Sequence, residues 1–316
     1  MIQVSHIFKR YGATLAVNDV SFEVDKGEIV GFLGPNGAGK STTLKILTGY
    51  VVADSGNVVV AGKDVLEDSL GVKQSVGYLP ETTPLYPDMQ VGDYLRFMAR
   101  ARQVPKAQVS SAVDRVVDLV GIRRMFKKNI AFLSKGYKQR VGLAQALIHD
   151  PPVIIMDEPT SGLDPHQIIE IRELIRDLGR KKLVLLSSHI LQEISAICTR
   201  ILVIKDGRIV ANGSPEDLRR EVSDRAVVRA RIRGEEQTVR DKLKSIRGVE
   251  SADVVGQGDG FQEWRVSAAA GTDLGVEVAR LARQENWDLA ALMPEAASLE
   301  DVYLQLTASP ATRAAS

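Results

Sequence analysis

The amino-acid sequence predicts an α/β protein. Its first domain has a mixed-sheet core, an antiparallel β subdomain and an α-helical subdomain, and a small α+β domain follows. Helical spacing of apolar residues over 91–125 predicts the helical subdomain. A change of composition after about Leu218 marks the end of the first domain. Continuous apolar runs of strand length suit parallel strands covered on both faces. These runs are 153–156, 183–186 and 201–204.

The start of the chain is predicted to form antiparallel strands. Residues 1–25 alternate loosely between apolar and polar around the turn Tyr11-Gly12-Ala13. Residues 51–65 predict further strand, with turns at Ser55-Gly56 and Gly62-Lys63. Together these segments form the predicted antiparallel β subdomain.

The second domain is predicted from the order of its elements. Residues 219–224 are charged and polar and suit a linker. Beyond them the pattern is β-α-β-β-α-β, with an extra helix over 298–306, which is the split-βαβ order of a ferredoxin-like domain. We therefore divide the chain into domains 1–220 and 221–307 and a frayed tail, 308–316.

Composition and charge exclude several classes of protein. The chain has 316 residues and a formal net charge of +1, so charge offers no basis for a nucleic-acid partner. Cys198 is the only cysteine, so neither a disulfide framework nor a cysteine metal site is predicted. No signal-peptide pattern and no apolar run of about 18 residues occurs, so we expect another chain to supply any membrane part.

One glycine-rich stretch carries the strongest chemical signal. Residues 34–41 follow the strand-length run 28–33 and precede a helical segment, which is the context of a phosphate-binding loop. The glycines let successive N–H groups point at anionic oxygens, and the helix adds the positive end of its dipole. Lys40 can reach the β- and γ-phosphates, and the Ser41 hydroxyl can ligate Mg²⁺. The predicted nucleoside triphosphate site consists of Gly34, Pro35, Asn36, Gly37, Ala38, Gly39, Lys40, Ser41 and Thr42.

Two acids follow the apolar run 153–156. An acid at the carboxyl end of a buried parallel strand lies beside the phosphate loop, where α/β sheets bind ligands. Asp157 is placed to hold Mg²⁺ through its water shell, and Glu158 to orient or deprotonate the attacking water. Alternatively, the two acids only mark a strand that enters an exposed loop.

Residues 133–140 form a second candidate anion site. The pattern Ser-Lys-Gly is typical of a helix N-terminus and precedes a helix predicted over 137–148. Such an N-terminus can bind an anion. Here the sequence resembles the ATP-binding cassette (ABC) family, whose signature Leu-Ser-Gly-Gly-Gln it matches at Leu133, Ser134 and Gly136. It departs from that signature at Lys135 and Tyr137.

The other ABC motifs occur in the family's order over about residues 1–220. The resemblance implies that Tyr11 stacks on adenine, that Asp164 belongs to the D-loop 161–164, and that His189 is the switch histidine contacting the γ-phosphate. Residues 34–41 match the Walker A loop and 153–158 the Walker B strand. Taken alone, His189 is typical of an ordinary polar residue whose hydrogen bonds are satisfied, and Tyr11 is typical of an aromatic residue packed at an edge.

Glu81 departs from the family pattern. It follows a predicted strand over 76–79, where the family usually places a glutamine that ligates Mg²⁺ and contacts the membrane partner. A carboxylate can still coordinate Mg²⁺, so the predicted metal ligands are Ser41, Glu81 and Asp157. Glu81 pointing to solvent is the alternative. The basic cluster 123–128 suits a solvated face, with contact to anionic lipid or a partner as the second interpretation.

The resemblance implies an ATPase that works as a head-to-tail dimer. Two ATP molecules would lie between protomers, each held by residues 34–41 of one chain and by Ser134, Lys135 and Gly136 of the other. The chain looks most like the ATPases of bacterial ABC-2-type exporters, in the group associated with drug resistance and gliding motility. The partners implied are a second copy, or a similar ABC chain in a pseudo-symmetric heterodimer, and a separate permease at the cytoplasmic face of the plasma membrane.

The sequence is also compatible with two other functions. One is the ATPase of a nutrient importer whose ferredoxin-like domain binds a regulatory ligand. The other is an ABC protein that acts on DNA or ribosomes without a permease. Proteins of the second kind usually carry two cassettes or a long coiled coil, and this chain shows neither pattern.

Overall fold

The computed structural model describes residues 1–222, 225–269, 273–295 and 302–303. The chain divides into two compact units, Met1–Ser214 and Pro215–Ser316. This division falls a few residues before the boundary that we place after residue 220. Residues 219–222 of the predicted linker belong to a helix that begins at Pro215. Proline is favoured in a first helical turn, and acids there complement the helix dipole, which explains the helical start.

The first unit, all of whose residues are described, contains ten strands and seven α-helices. The strands are β1 (Ile2–Tyr11), β2 (Thr14–Val24), β3 (Ile29–Leu33), β4 (Ser55–Val60), β5 (Lys63–Asp64), β6 (Val76–Leu79), β7 (Val153–Asp157), β8 (Leu183–Ser188), β9 (Arg200–Lys205) and β10 (Arg208–Gly213). The helices are α1 (Lys40–Leu47), α2 (Ser69–Ser75), α3 (Val91–Ala101), α4 (Val109–Leu119), α5 (Lys135–Leu147), α6 (Pro165–Gly179) and α7 (Leu191–Ile197).

Four of these strands form the predicted antiparallel subdomain, in the order β2-β1-β4-β5. The prediction of a turn at Ser55-Gly56 was wrong, because β4 begins at Ser55 and pairs with β1. Gly56 has φ 90°, and a Cβ atom there would overlap the backbone oxygen of His6. Glycine at this position therefore allows β4 to lie against the irregular middle of β1.

The central sheet has the order β10-β9-β3-β8-β7-β6. Strand β3 runs parallel to β8 and β9, and β7 runs parallel to β6 and β8. Every residue of β3, β7 and β8 is buried, as expected for parallel strands covered on both faces. The loops after these three neighbouring strands therefore meet at one edge of the sheet.

The helical subdomain consists of α3, α4 and α5, which pack against one another. Helix α5 begins at Lys135, two residues before its predicted start, because Ser134 caps it by accepting a hydrogen bond from the Tyr137 N–H. The hydrophobic core of the first unit lies between the two sheets and α1. Its members include Val20, Phe32 and Leu44.

The second unit has a ferredoxin-like fold. Its sheet has the order β12-β13-β11-β14, and Trp264 is completely buried in its core. The helix predicted over 298–306 lies outside the described residues except for Val302 and Tyr303, which are helical. The elements are α8 (Pro215–Val222), β11 (Arg225–Arg233), α9 (Glu236–Ser245), β12 (Val249–Gly258), β13 (Phe261–Ala269), α10 (Leu274–Gln284) and β14 (Asp288–Glu295).

Candidate functional site

The glycine-rich loop joins β3 to α1, as the sequence predicts. Gly37 and Gly39 have φ values of 81° and 104°, in the left-handed region that favours glycine. A Cβ atom on Gly39 would also lie only 2.3 Å from the backbone oxygen of Ala16. Glycine therefore lets the loop close against β2, and the first N–H groups of α1 remain available to an anion.

Lys40, the first residue of α1, is buried over this loop. Its ammonium group donates hydrogen bonds to the carbonyl oxygens of Gly34 at 2.7 Å and Pro35 at 3.2 Å. Burial lowers the pKa of Lys40, and the nearby charges of Glu158, Asp157 and Glu81 oppose that shift. The lysine therefore has carboxylates as neighbours as well as the loop carbonyls.

The two acids at the end of β7 are held by Ser187 of β8. The Ser187 hydroxyl donates to Oδ1 of Asp157 at 2.5 Å and accepts from the Glu158 N–H at 3.0 Å. Both carboxylates are buried, so Asp157 and Glu158 do not mark a strand entering an exposed loop. Glu158 has φ 48°, an uncommon conformation for a residue with a side chain.

His189 follows β8 and contacts Glu158 directly. Its Nδ1 atom lies 3.0 Å from Oε2 of Glu158, while 46% of the histidine side chain is exposed. The other carboxylate oxygen of Glu158 lies 3.7 Å from the ammonium nitrogen of Lys40. Glu158 therefore stands between the lysine of the phosphate loop and a half-exposed histidine.

These residues surround a polar cavity of about 490 Å³. Glu81 lines it, which favours the interpretation that this side chain faces the site. Gly34, Pro35 and Asp157 are not among the lining residues. The lining residues are Ala16, Asn36, Gly37, Ala38, Gly39, Lys40, Ser41, Thr42, Glu81, Glu158 and His189.

Tyr11 does not line this cavity. It ends β1 with 48% of its surface exposed, and the ammonium group of Lys9 lies 5.7 Å from the centre of its ring. Ala16 on β2 does line the cavity. Stacking of Tyr11 on adenine therefore stays a prediction.

The signature residues also lie away from the cavity wall. Ser134 and Lys135 are exposed at the start of α5, and the Lys135 side chain lies against Gly162 of its own D-loop. Asp164 caps α6, because its carboxylate accepts from the Gln167 N–H at 2.9 Å. The structure thus brings the signature and D-loop segments together within one chain.

Sequence reasoning missed several residues that shape the site. Ser187 holds both acids, and the buried Gln139 of α5 donates to the backbone oxygen of Pro159 at 3.1 Å. Ser187 had a local signal, since it is the penultimate residue of the buried strand β8 and lies two residues before His189. Ala16 and Gln139 had none, because their place depends on how separate elements pack.

Fold and site together define a phosphate-loop domain of the nucleoside triphosphate-hydrolysing class. A family described as ABC transporter matches residues 17–161. The linearmycin resistance ATP-binding protein LnrL of Bacillus subtilis is 31% identical over 97% of this chain and 98% of its own length. The chain therefore belongs to the ABC transporter family, as one of its ATP-hydrolysing subunits.

Two further similarities agree with this assignment. The Nod factor export ATP-binding protein I of Burkholderia orbicola is 37% identical over 69% of this chain and 72% of its own length. A solved ATP-binding subunit of an ABC transporter is 32% identical, with a TM-score of 0.65, over 71% of this chain and 93% of that one. Among the described residues, no helix is both long enough and apolar enough to cross a membrane.

Proposed function

We propose that this chain powers an ABC-2-type exporter, as a peripheral subunit bound to a separate permease at the cytoplasmic face of the plasma membrane. The observation that carries the proposal is similarity over nearly the full length to a resistance ATP-binding protein. A Nod factor export ATP-binding protein is a second relative named for export. The match to LnrL extends beyond the first unit, so it includes the ferredoxin-like domain.

The cavity supplies the groups that ATP hydrolysis requires. Lys40 and the N–H groups at the start of α1 bind the β- and γ-phosphates. Glu158 orients the attacking water and accepts its proton, while His189 holds the carboxylate from the other side. The water oxygen forms a bond to the γ-phosphorus, and the bond from that phosphorus to the bridging oxygen of ADP breaks.

Mg²⁺ fits this site as a metal that arrives with the nucleotide. Within the described part of the chain, no cluster of three His, Cys, Asp or Glu side chains could hold a metal by itself. Mg²⁺ accepts one or two protein ligands together with phosphate oxygens and waters. Ser41 and Glu81 line the cavity and Asp157 directly precedes the lining residue Glu158, so these residues would hold the ion. When bound, Mg²⁺ neutralises charge on the phosphates.

The site requires a second protomer for completion. The residues that surround the cavity come from the phosphate loop, β2, the segment after β6 and the ends of β7 and β8. Ser134 and the N-terminus of α5 are exposed elsewhere on the unit and can meet the nucleotide of a facing copy. Tyr11, Lys135 and Asp164 are proposed to act in that closed dimer, formed with a second copy or a similar ABC chain.

Transport tests this proposal directly. The chain would be purified with its permease from detergent-solubilised membranes and reconstituted in vesicles with the ATPase outside. We expect the permease to stimulate ATP hydrolysis, and we expect substrate to accumulate inside the vesicles only with ATP. Vesicles containing the Lys40→Ala variant are the control. Release of substrate from loaded vesicles would indicate import, and recovery of an active ATPase with no membrane protein would contradict the proposal.

A further inference from the structure

A buried carboxylate lies behind the proposed catalytic residues. Glu193 of α7 is only 6% exposed. Its Oε2 atom accepts two hydrogen bonds, from the Thr160 hydroxyl at 2.5 Å and from the Ser188 hydroxyl at 3.1 Å. Thr160 and Ser188 are themselves fully buried, so this small network is closed to solvent.

The two hydroxyls belong to the two chain segments that carry the chemistry. Thr160 lies two residues after Glu158, and Ser188 directly precedes His189. Ser188 also accepts a hydrogen bond from the Ile190 N–H at 3.0 Å, so it brackets His189 on both sides. One oxygen of Glu193 therefore connects the segment after β7 to the last residue of β8.

The backbone of Glu158 explains why such a tie is needed. Its φ of 48° is unfavourable for a residue with a side chain and persists only where the surroundings hold it. The Ser187 hydroxyl fixes the Glu158 N–H. On the other side, the chain is anchored two residues later by the bond from Thr160 to Glu193. Hydrogen bonds therefore hold the chain at Glu158 itself and again at Thr160, which keeps Glu158 in its uncommon conformation.

We propose that Glu193 is a positioning residue for ATP hydrolysis. Through Thr160 and Ser188 it holds Glu158 and His189 in a fixed position relative to each other. This inference rests on the proposed roles of Glu158 and His189. Glu193 does not line the cavity, and it acts through the two hydroxyls. It is separate from the phosphate loop, so it governs the rate of the chemical step and leaves nucleotide binding unchanged.

The first test removes the Thr160 hydroxyl without changing the side-chain volume much. For Thr160→Val we expect kcat to fall about tenfold, the worth of one good hydrogen bond, while KM for ATP stays within about twofold. Thr160→Ser keeps the hydroxyl and should restore most of the rate. Glu193→Gln keeps the shape and weakens the charge-assisted bonds, so its kcat should fall by about three- to tenfold.

A double-mutant cycle separates positioning from a general loss of packing. Because Thr160→Val already removes one of the two bonds to Glu193, its combination with Glu193→Gln should lower kcat by less than the product of the two single effects. Thr48→Val is the matched control, since Thr48 is a buried threonine whose hydroxyl donates to the Leu44 carbonyl oxygen in α1. This control should lower the melting temperature and leave kcat unchanged.

Several outcomes would overturn the inference. These are an unchanged kcat in Thr160→Val, a Thr160→Ser variant as slow as Thr160→Val, or independent effects in the double mutant. Its failure is distinguishable from failure of the proposed catalytic roles. If Glu158→Gln is inactive while Thr160→Val is as fast as the wild type, only the role of Glu193 is lost. If Glu158→Gln turns over normally, the catalytic assignment itself is wrong.

Discussion

The ammonium nitrogen of Lys40 lies 3.7 Å from Oε1 of Glu158, and both side chains are almost completely buried. Each residue comes from the loop or helix that follows a different strand of the central sheet. Removing one member of a buried ion pair leaves the other charge without its partner. Substitutions at the two positions should therefore differ in their effects, because Lys40 is proposed to bind phosphate and Glu158 to orient the attacking water.

Lys40→Ala should abolish ATP binding. The phosphate charge would then meet only backbone dipoles and the end of α1. Isothermal titration with Mg²⁺-ATP measures the loss. Lys45→Ala is the control, because Lys45 lies on the same helix, is exposed, and should bind ATP as the wild type does. An affinity within about tenfold of the wild type, or roughly 1.4 kcal/mol, would refute the role of Lys40.

Glu158→Gln should keep ATP binding and lower turnover by about two to four orders of magnitude, the usual worth of a positioned base. Blocked hydrolysis should also trap an ATP-bound dimer, which size-exclusion chromatography would detect. Glu173→Gln changes an exposed acid on α6 and should alter neither property. Normal hydrolysis by Glu158→Gln would remove this residue from the chemical step.

Glu81→Gln should raise the basal ATPase rate of the isolated subunit modestly. Glu81 lines the cavity beside Lys40 and Glu158, where its negative charge opposes approach of the γ-phosphate. Attraction to Mg²⁺ offsets that repulsion in the assembled state, so Mg²⁺-ATP affinity should stay within about tenfold, or roughly 1.4 kcal/mol.

The measurement is steady-state ATPase activity at matched Mg²⁺, with and without the permease in detergent. Glu67→Gln, a change at an exposed acid of the same unit, is the control. An unchanged rate in both settings would place Glu81 outside the reaction.

His149 should make the first unit sensitive to acid. Burial lowers the pKa of His149 from 6.5 to about 4, and its Nε2 lies 3.2 Å from the Val76 carbonyl oxygen. Between these two pKa values the unfolded chain binds more protons than the folded one. The free energy of unfolding should therefore fall as the pH drops, by about 2 kcal/mol between pH 7 and pH 5.

Urea unfolding followed by circular dichroism at those two pH values measures the effect. His149→Gln keeps a donor for the Val76 carbonyl oxygen and removes the titration, so its stability should change less with pH. The same pH dependence in both proteins would show that His149 does not control it.

Local sequence patterns were sufficient to predict those features of the protein whose residues are contiguous in the chain. Residues 34–41 identify a phosphate loop because the glycines, Lys40 and the following helix are consecutive. The same holds for the parallel strands and for the order of elements in the ferredoxin-like domain, since apolar periodicity and continuous apolar runs are properties of short segments. The turn predicted at Ser55-Gly56 was wrong because Gly56 serves the close approach of two strands.

Tertiary structure alone decided how the site is assembled. Ser187 reaches Glu158 across 29 residues of sequence, and Thr160 reaches Glu193 across 33, because β7 and β8 are neighbours in the sheet. Strand order places these hydroxyls and carboxylates together, and no local period encodes it. The sequence determined which chemistry the loop and the acids can perform, while the pairing of β7 with β8 decided which side chains hold Glu158 and His189 in place.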